Sequence, residues 1–234
     1  MRRFFGKKEG QFVIIDNDEL AHLAKVMRQK VGDKIICICD DENEYHCQIE
    51  SLDKRICKAK IEKIEKCSAL PNKDITLFQA LPKKEYLDEI VAKAVELGVS
   101  TLQLFISDFS NSSRINDERI NSQILSASKQ CGRSKLMINS PLIKFSQLSK
   151  MLENFDFVIF ANEKEKFKTI FDVKNIQNAT KIAVIVGNEG GFSEKEIQAI
   201  LKERVHSITL GTRILRCTTA VTTILALINA LTKN

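Results

Sequence analysis

The sequence predicts an α/β protein in which residues 1–70 form a small β-rich domain and residues 71–234 form a mostly parallel sheet covered by helices. Up to residue 70, short alternating runs are interrupted by one helical stretch. From residue 74 onward, strand and helix patterns alternate, which is typical of a sheet with helices on both faces. The runs FVIFA and IAVIV are uninterrupted and apolar, as expected of parallel strands buried on both sides.

The first domain is predicted to be a small barrel built from several short strands and one helix. We expect the helix from Glu19 to Lys30, because Leu20, Leu23 and Met27 fall on one face. The strands are expected at QFVIID, IICIC, Tyr45–Ile49 and Ile56–Ile64, with a turn over Asp40–Glu44. The break at residues 69–72, which includes Pro71, is the predicted domain boundary.

The second domain is predicted to alternate regularly between strands and helices. Gly98 follows the first predicted helix at the position that commonly ends one. Ser193 and Glu196 have the spacing of a capping box, which marks the start of a later helix. In chain order the elements are ITLFQAL, helix Glu85–Leu97, LQLFI, helix Asn116–Cys131, FVIFA, IAVIV, helix Ser193–Glu203, SITL and helix Thr218–Leu231.

Charge is concentrated in one segment of the chain. The formal net charge is +6, and residues 110–150 carry seven basic and two acidic side chains. A polyanionic partner such as a nucleic acid accounts for this asymmetry. A solvated basic helix would give the same count, so composition alone leaves both interpretations open.

The cysteines and histidines indicate a cytoplasmic protein with reduced thiols and no metal. The seven cysteines contain no CxxC pair, and Cys37 and Cys39 share one face of a predicted strand, which suits small buried side chains. The three histidines have no ligand spacing. The N-terminus lacks an apolar signal core, and the apolar stretch from Ala220 to Leu231 is too short to span a bilayer.

The first motif is VGNEGGFS, from Val186 to Ser193, between a buried strand and a capped helix. Glycines there allow a ligand to approach the backbone closely at the carboxyl end of a sheet. The motif is neither a GxGxxG fingerprint nor a P-loop. Taken alone, a tight strand-to-helix turn explains it equally well.

The second motif is LGTRILRCTTA, from Leu210 to Ala220, again between a strand end and a helix start. Ile214 and Leu215 make it unusually apolar for a loop. Such residues either line a pocket or anchor the loop to the core.

The third motif is KQCGR, at the end of the basic helix, where Arg133 offers a planar fork for phosphate or carboxylate. A solvated arginine stabilised by the helix dipole is the competing interpretation.

Together these motifs resemble the SPOUT-class methyltransferases, and among them the ribosomal RNA small subunit methyltransferase E family. The resemblance extends along the chain. Further matching segments are Arg3-Phe4-Phe5, His22-Leu23-x-x-Val26-Met27-Arg28, Val31-Gly32-Asp33, Lys93-Ala94-x-Glu96-Leu97-Gly98-Val99 and Gln130-x-x-Arg133. The resemblance implies a PUA-like RNA-binding domain followed by a catalytic domain with a trefoil knot. It also implies a homodimer in which one subunit's RNA-binding domain faces its partner's cofactor site. The implied reaction is methylation of N3 of one uridine in 16S rRNA of the small ribosomal subunit.

The resemblance also implies S-adenosylmethionine as cofactor, and it assigns the cofactor contacts to three segments. These contacts are expected from Ala161, Asn162, Gly187, Asn188, Glu189, Gly190, Gly191, Leu210, Gly211, Ile214, Leu215 and Thr219. For the RNA phosphates the expected contacts are Arg3, Arg28, Arg114, Arg119, Lys129 and Lys135.

Methylation of uracil N3 requires that a largely protonated ring nitrogen lose its proton, either to a base or with a cation stabilising the anion. Arg133 is the candidate cation with Arg216 behind it, and Glu189 is a possible base or a structural carboxylate.

Two positions depart from the family pattern: the family usually has proline where Asn188 stands and an acidic residue where Thr218 stands. Asparagine suits a turn because it tolerates unusual φ. The departures leave a second hypothesis open, a non-catalytic RNA-binding protein on a decayed methyltransferase scaffold. A third hypothesis is an enzyme that uses a nucleotide cofactor to act on small molecules. The absence of a GxGxxG motif and the basic segment both argue against it.

Overall fold

The computed structural model describes residues 2–232, and the chain divides into two compact units. The first unit comprises the chain up to Leu70 together with Leu125–Leu136. The second comprises Pro71–Ile124 and the chain from Met137 onward. The predicted break at residues 69–72 coincides with the first of these divisions, but the sequence did not indicate that residues 125–136 group with the first unit.

The first unit is built on a six-stranded sheet with the order β1-β4-β5-β6-β3-β2. Strand β1 pairs parallel to β4, and the other pairings are antiparallel. The strands are β1 (Arg3–Phe5), β2 (Lys7–Glu9), β3 (Phe12–Asp16), β4 (Lys34–Ile38), β5 (Asn43–Leu52) and β6 (Ile56–Lys66). The two edge strands β1 and β2 are separated by Gly6 alone, so the sheet must curl until its edges meet there. A Cβ on Gly6 would lie 2.6 Å from the Ile14 carbonyl oxygen, which explains the glycine.

The predicted helix of the first unit is shorter than its apolar spacing indicated. Helix α1 covers Asn17–Ala21, and a π-helical turn continues it over His22–Val26. Arg28 then adopts a φ of +52°, which ends the helix before the predicted Lys30. Leu20 and Leu23 are buried, as the pattern predicted, and Cys37 is buried while Cys39 is half-buried.

The second unit is built on a six-stranded, wholly parallel sheet with the order β12-β10-β11-β7-β8-β9. Its strands are β7 (Asp74–Ala80), β8 (Thr101–Ile106), β9 (Ile138–Lys144), β10 (Phe157–Ala161), β11 (Lys181–Val186) and β12 (His206–Ile208). The order reverses at β7, because β8 and β9 lie on one side of it, whereas the later strands β11, β10 and β12 lie in that spatial order on the other. Ligands of open α/β sheets bind at the carboxyl ends of strands near such a reversal.

The second unit contains α2 (Lys84–Glu96), α4 (Leu148–Leu152), α5 (Glu194–Leu201) and α6 (Cys217–Thr232), while α3 (Asp117–Cys131) begins in the second unit and belongs to the first from Leu125 onward. Except for α4, these helices follow the predicted spacing closely. The capping box is present: the Ser193 side chain accepts from the Glu196 backbone N–H, and the Glu196 carboxylate accepts from Ser193 N at 3.0 Å. Strand β9 and helix α4 were not predicted. Strand β9 is an edge strand and contains Pro141, which an edge tolerates.

Candidate active site

A cleft lies at the carboxyl ends of β10, β11 and β12, where two loops and one strand end come together. The first loop is the glycine-rich turn after β11, and the second is the apolar loop after β12. The cleft lining consists of Ala161, Asn162, Glu163, Val186, Gly187, Asn188, Gly191, Phe192, Ile197, Thr209, Leu210, Gly211, Thr212, Arg213, Ile214, Leu215, Cys217 and Ala220.

The glycine-rich loop is folded tightly back on itself. Gly191 has a φ of +68°, and its N–H donates to the Asn188 carbonyl at 3.1 Å. A Cβ on Gly187 would lie 3.2 Å from the Gly191 Cα, so a side chain at Gly187 would crowd the backbone of the loop. Main chain rather than side chains therefore forms this wall of the cleft, as a backbone cradle for a ligand requires.

The side chain of Asn188 fixes this loop to the neighbouring strand ends. Its Oδ1 accepts from Gly190 N at 3.0 Å, while its Nδ2 lies 3.3 Å from Ser107 Oγ and 3.4 Å from the Leu81 carbonyl oxygen. Gln79 on β7 adds a 2.9 Å bond from its Nε2 to the Gly187 carbonyl. Asn188 is buried and its φ is not positive, so its role here is hydrogen bonding and not the tolerance of unusual φ that we expected.

The apolar loop forms the opposite wall. Thr209 braces it, accepting from Gly211 N at 3.2 Å and donating to the Gly211 carbonyl at 3.0 Å. Ile214 is 87% exposed, and Leu215 is half-buried. Burial raises the pKa of the Cys217 thiol to about 11, so this residue contributes a neutral surface at neutral pH. The wall suits an apolar ring or chain.

The end of β10 supplies a carboxylate. Asn162 is held by a backbone bond to the Ile208 carbonyl at 3.0 Å and a side-chain bond to Ser207 Oγ at 3.1 Å. The next residue, Glu163, points its Oε1 to within 3.1 Å of the position that a Cβ on Gly191 would take. A ligand with an apolar part, several hydrogen-bonding groups and a positive charge fits these walls.

Most of the predicted cofactor residues line the cleft, but three do not. Glu189 Oε1 accepts from Lys83 N at 3.0 Å, at the start of α2. A Cβ on Gly190 would lie 2.8 Å from the Phe109 Cβ, so this glycine allows close packing of a neighbouring loop. Thr219 is exposed on α6.

Several lining residues were not predicted from the sequence, and of these Glu163 and Arg213 carry charge. Apart from Ile197 on α5, they lie within the motifs or next to a predicted residue, so adjacency was the available signal. Thr218 is buried in the first turn of α6, where the family pattern would place an acidic side chain at a helix N-terminus.

The candidate catalytic arginines differ sharply in exposure. Arg133 is 3% exposed, and its Nε donates to the Lys135 carbonyl at 2.6 Å within the first unit. Burial lowers its pKa from the ordinary arginine value. Arg216 is exposed and directly precedes α6, and its carbonyl accepts from Ala220 N at 2.9 Å.

Three of the predicted RNA-binding side chains are in ion pairs. Arg3 Nε lies 3.1 Å from Glu44, Lys129 Nζ lies 2.8 Å from Glu19, and Arg119 contacts both carboxylate oxygens of Asp88. The other three are exposed, and within residues 2–232 no carboxylate oxygen lies within 4.0 Å of their charged nitrogens. These three are Arg28, Arg114 and Lys135.

The described residues contain neither a cluster of metal-binding side chains nor a helix that could span a membrane. Across residues 2–232, His, Cys, Asp and Glu side chains nowhere gather in threes as a metal site would need. In the same range, each helix is too short or too polar to cross a bilayer.

Family models match both parts of the chain. Residues 69–229 match an RNA methyltransferase domain, and residues 15–62 match an RNA methyltransferase PUA domain. Proteins named ribosomal RNA small subunit methyltransferase E are similar over nearly the whole length. The one from Mesomycoplasma hyopneumoniae is 32% identical over 94% of this chain and 95% of its own, and the one from Aquifex aeolicus is 30% identical over 95% and 96%.

Solved structures agree with these sequence matches. A ribosomal RNA small subunit methyltransferase E from Neisseria gonorrhoeae, bound to S-adenosylmethionine, is 26% identical with a TM-score of 0.87, over 99% of this chain and 98% of its own. A Legionella pneumophila protein described as a methyltransferase, also holding that cofactor, is 25% identical with a TM-score of 0.87, over 98% and 97%. The predicted fold class is therefore confirmed: a PUA-like β domain followed by a SPOUT-type α/β domain.

Proposed function

This chain belongs to the ribosomal RNA small subunit methyltransferase E family, and from that premise we propose that it transfers a methyl group from S-adenosylmethionine to N3 of a uridine in 16S rRNA. The observation that carries the proposal is the glycine-walled cleft at the carboxyl ends of β10, β11 and β12. The cofactor bound in the two similar structures supports it.

The cleft walls match the chemical parts of S-adenosylmethionine. Leu210, Ile214 and Leu215 offer an apolar surface for the adenine ring, and the backbone of Gly187 and Gly191 offers close polar contacts. When bound, the cofactor supplies a methyl group activated by the sulfonium charge. Catalysis by the protein then consists largely of aligning the acceptor nitrogen with that methyl group.

Glu163 extends this assignment, because its carboxylate is the acidic group that lines the cleft. We assign it to the positively charged end of the cofactor, either the amino group or the sulfonium. A carboxylate lowers the free energy of a bound cation most where water is partly excluded, as in a cleft.

For the proton at uracil N3, the candidates are Arg133, Arg216 and Glu189. Arg133 is buried and its Nε donates to the Lys135 carbonyl, which holds the guanidinium in one orientation. Its assignment as the cation that stabilises the developing anion rests on the family resemblance. Arg216 is the second cation. Glu189 is the candidate base, and its bond to Lys83 N gives it a structural role as well.

We assign residues 1–70 to RNA binding and residues 71–234 to catalysis. Arg28, Arg114 and Lys135 are the exposed phosphate contacts. Arg3, Arg119 and Lys129 would have to exchange a carboxylate partner for phosphate. The homodimer implied by the family resemblance is part of this proposal, and light scattering on the purified protein measures it.

Mass spectrometry of 16S rRNA from a strain lacking the gene tests the reaction. A single missing methyl group at uridine N3, restored by the purified protein and S-adenosylmethionine, is the expected result. Calorimetry with S-adenosylmethionine separates this proposal from a non-catalytic RNA-binding scaffold, which would release no heat of binding. An unchanged methylation pattern in the deletion strain would contradict the proposed substrate.

A further inference from the structure

The segment between β10 and β11 presents two large aromatic side chains to solvent. Phe167 is 87% exposed and Phe171 is 71% exposed. Single apolar residues on a surface are ordinary, but two phenyl rings four residues apart in one irregular segment leave a substantial apolar area in water. Core packing does not explain them, since Ile170 and Val173 supply the buried side chains of the same segment.

The backbone that carries these rings is fixed by local hydrogen bonds. Glu165 Oε1 accepts from the N–H groups of Lys166, Phe167 and Lys168 at 3.0, 3.1 and 3.3 Å. Asp172 Oδ2 accepts from Thr169 N at 2.8 Å and Thr169 Oγ1 at 2.9 Å. These two carboxylates therefore order the backbone that carries the rings before any partner binds.

Between residues 165 and 174, three lysines outnumber two carboxylates, Glu165 and Asp172. Lys166, Lys168 and Lys174 are exposed, and throughout residues 2–232 no carboxylate oxygen lies within 4.0 Å of their Nζ atoms. Arg204 is exposed nearby; burial, followed by the charges of Arg204 and Lys168, lowers the pKa of His206 on β12. A second copy of this surface would be repelled by these lysines, whereas a polyanion would be attracted.

This surface adjoins the candidate active site. The Thr209 N–H donates to the Lys168 carbonyl at 2.7 Å, and Thr209 itself lines the cleft. At the other end, Asn162 and Glu163 line the cleft and lead directly into the segment. A partner lying on the two rings would therefore lie beside the cofactor site.

We propose that Phe167 and Phe171, flanked by Lys166, Lys168 and Lys174, form a stacking surface for unpaired bases of the RNA substrate next to the methylation site. Every base has a flat face that stacks on a phenyl ring, and lysines neutralise the intervening phosphates. The RNA contacts proposed above come from residues 1–70 and 110–135, so a contact on the segment between β10 and β11 adds to them. It rests on the proposed function in that the polyanion is taken to be RNA.

The test is the affinity of the full-length protein for a labelled single-stranded RNA of about a dozen nucleotides, measured by fluorescence anisotropy. Replacing both rings, Phe167→Ala with Phe171→Ala, should weaken binding by about five- to a hundredfold for each base that stacks. Replacing both with leucine keeps apolar area but removes the flat faces, so the leucine variant should also bind weakly. Leu201→Ala, at an exposed apolar side chain on α5, is the matched control and should bind like wild type.

Calorimetry with S-adenosylmethionine and light scattering complete the experiment. Cofactor affinity and molecular mass should stay at the wild-type values in the alanine and leucine variants. Unchanged RNA affinity in either variant would overturn the proposal. So would a fall in molecular mass, which would identify the rings as a contact between copies of the chain. Failure of the wild type to bind the cofactor would instead count against the proposed function and leave the RNA result interpretable.

Discussion

Asn188→Ala should weaken cofactor binding without unfolding the protein. The substitution removes the bond from Gly190 N at 3.0 Å and the two longer contacts to Ser107 and Leu81 at 3.3 and 3.4 Å. It leaves the glycines and the cleft lining otherwise intact. The loop would then lose its side-chain links to Leu81 and Ser107, while the bond from Gln79 Nε2 to the Gly187 carbonyl remains.

The magnitude follows from these three interactions. A net contribution of about 1 kcal/mol is typical for a well-formed hydrogen bond, and interactions near 3.4 Å contribute less. The sum is therefore about 2 kcal/mol of loop ordering. If cofactor binding has to restore that order, the dissociation constant for S-adenosylmethionine should rise by about 30-fold, at roughly 1.4 kcal/mol per tenfold.

Isothermal calorimetry measures the affinity, and circular dichroism checks the fold. Gln198→Ala is a suitable control, because Gln198 makes one exposed side-chain bond on α5, to Glu194 at 3.1 Å. Its affinity should match the wild type. Asn188→Pro, which restores the usual family residue, tests whether rigidity alone suffices. A folded Asn188→Ala protein with wild-type affinity would refute the reasoning and show that the glycine backbone holds the loop unaided.

Four further predictions concern single features of the structure. Gly191→Val should abolish S-adenosylmethionine binding in calorimetry while circular dichroism stays near wild type. The valine side chain would meet Glu163, and the φ of +68° disfavours valine. Normal affinity would mean that the loop is only a turn. Arg133→Ala should lower the single-turnover methylation rate by about 10²–10³ with little reduction in RNA affinity, and Arg133→Lys should recover part of the rate. Raising the pH should increase the rate of the alanine variant most, because more uracil is then ionised without a stabilising cation. RNA affinity that falls in proportion to the rate would assign Arg133 to phosphate binding. Arg114→Ala with Lys135→Ala should reduce the log–log salt slope of RNA binding by about 0.7–0.9 for each phosphate that is no longer neutralised, and an unchanged slope would identify a solvated face. Hydrogen bonds from the Thr180 side chain, and then from the backbone of residues 181 and 180, lower the pKa of Asp156 to about 2. The ionised carboxylate therefore stabilises the fold above about pH 4, and this stabilisation is lost as the pH falls through about 2. The difference in Tm between wild type and Asp156→Asn should shrink over that range, and a constant difference would contradict the assignment.

Local patterns were enough to predict the fold class and most of its elements. The apolar runs of β7, β8, β10 and β11 were predicted because buried parallel strands need continuous apolar sequence. The start of α5 was predicted because a capping box lies within four consecutive residues. The family resemblance, carried by residues in the two loops, is confirmed by the family models and the relatives.

Features that depend on residues distant in the chain were decided by the tertiary structure. Strand β9 lies at an edge with a weak apolar pattern, so pairing with β8 and not composition makes it a strand. The ion pair between Arg119 and Asp88 joins residues 31 apart, and no local pattern reveals that a predicted phosphate ligand already has a partner.

In the candidate site, too, some features follow from the sequence and others depend on the tertiary structure. The sequence by itself determined the glycine loop and the apolar loop, because each is a contiguous motif whose residue types restrict the backbone. Only the folded chain brings Glu163 from the end of β10 against Gly191, and only it ties Asn188 to Ser107 and Leu81. Parallel strands separated by whole helices meet at one sheet edge, and the contacts made there depend on strand order, which periodicity does not encode.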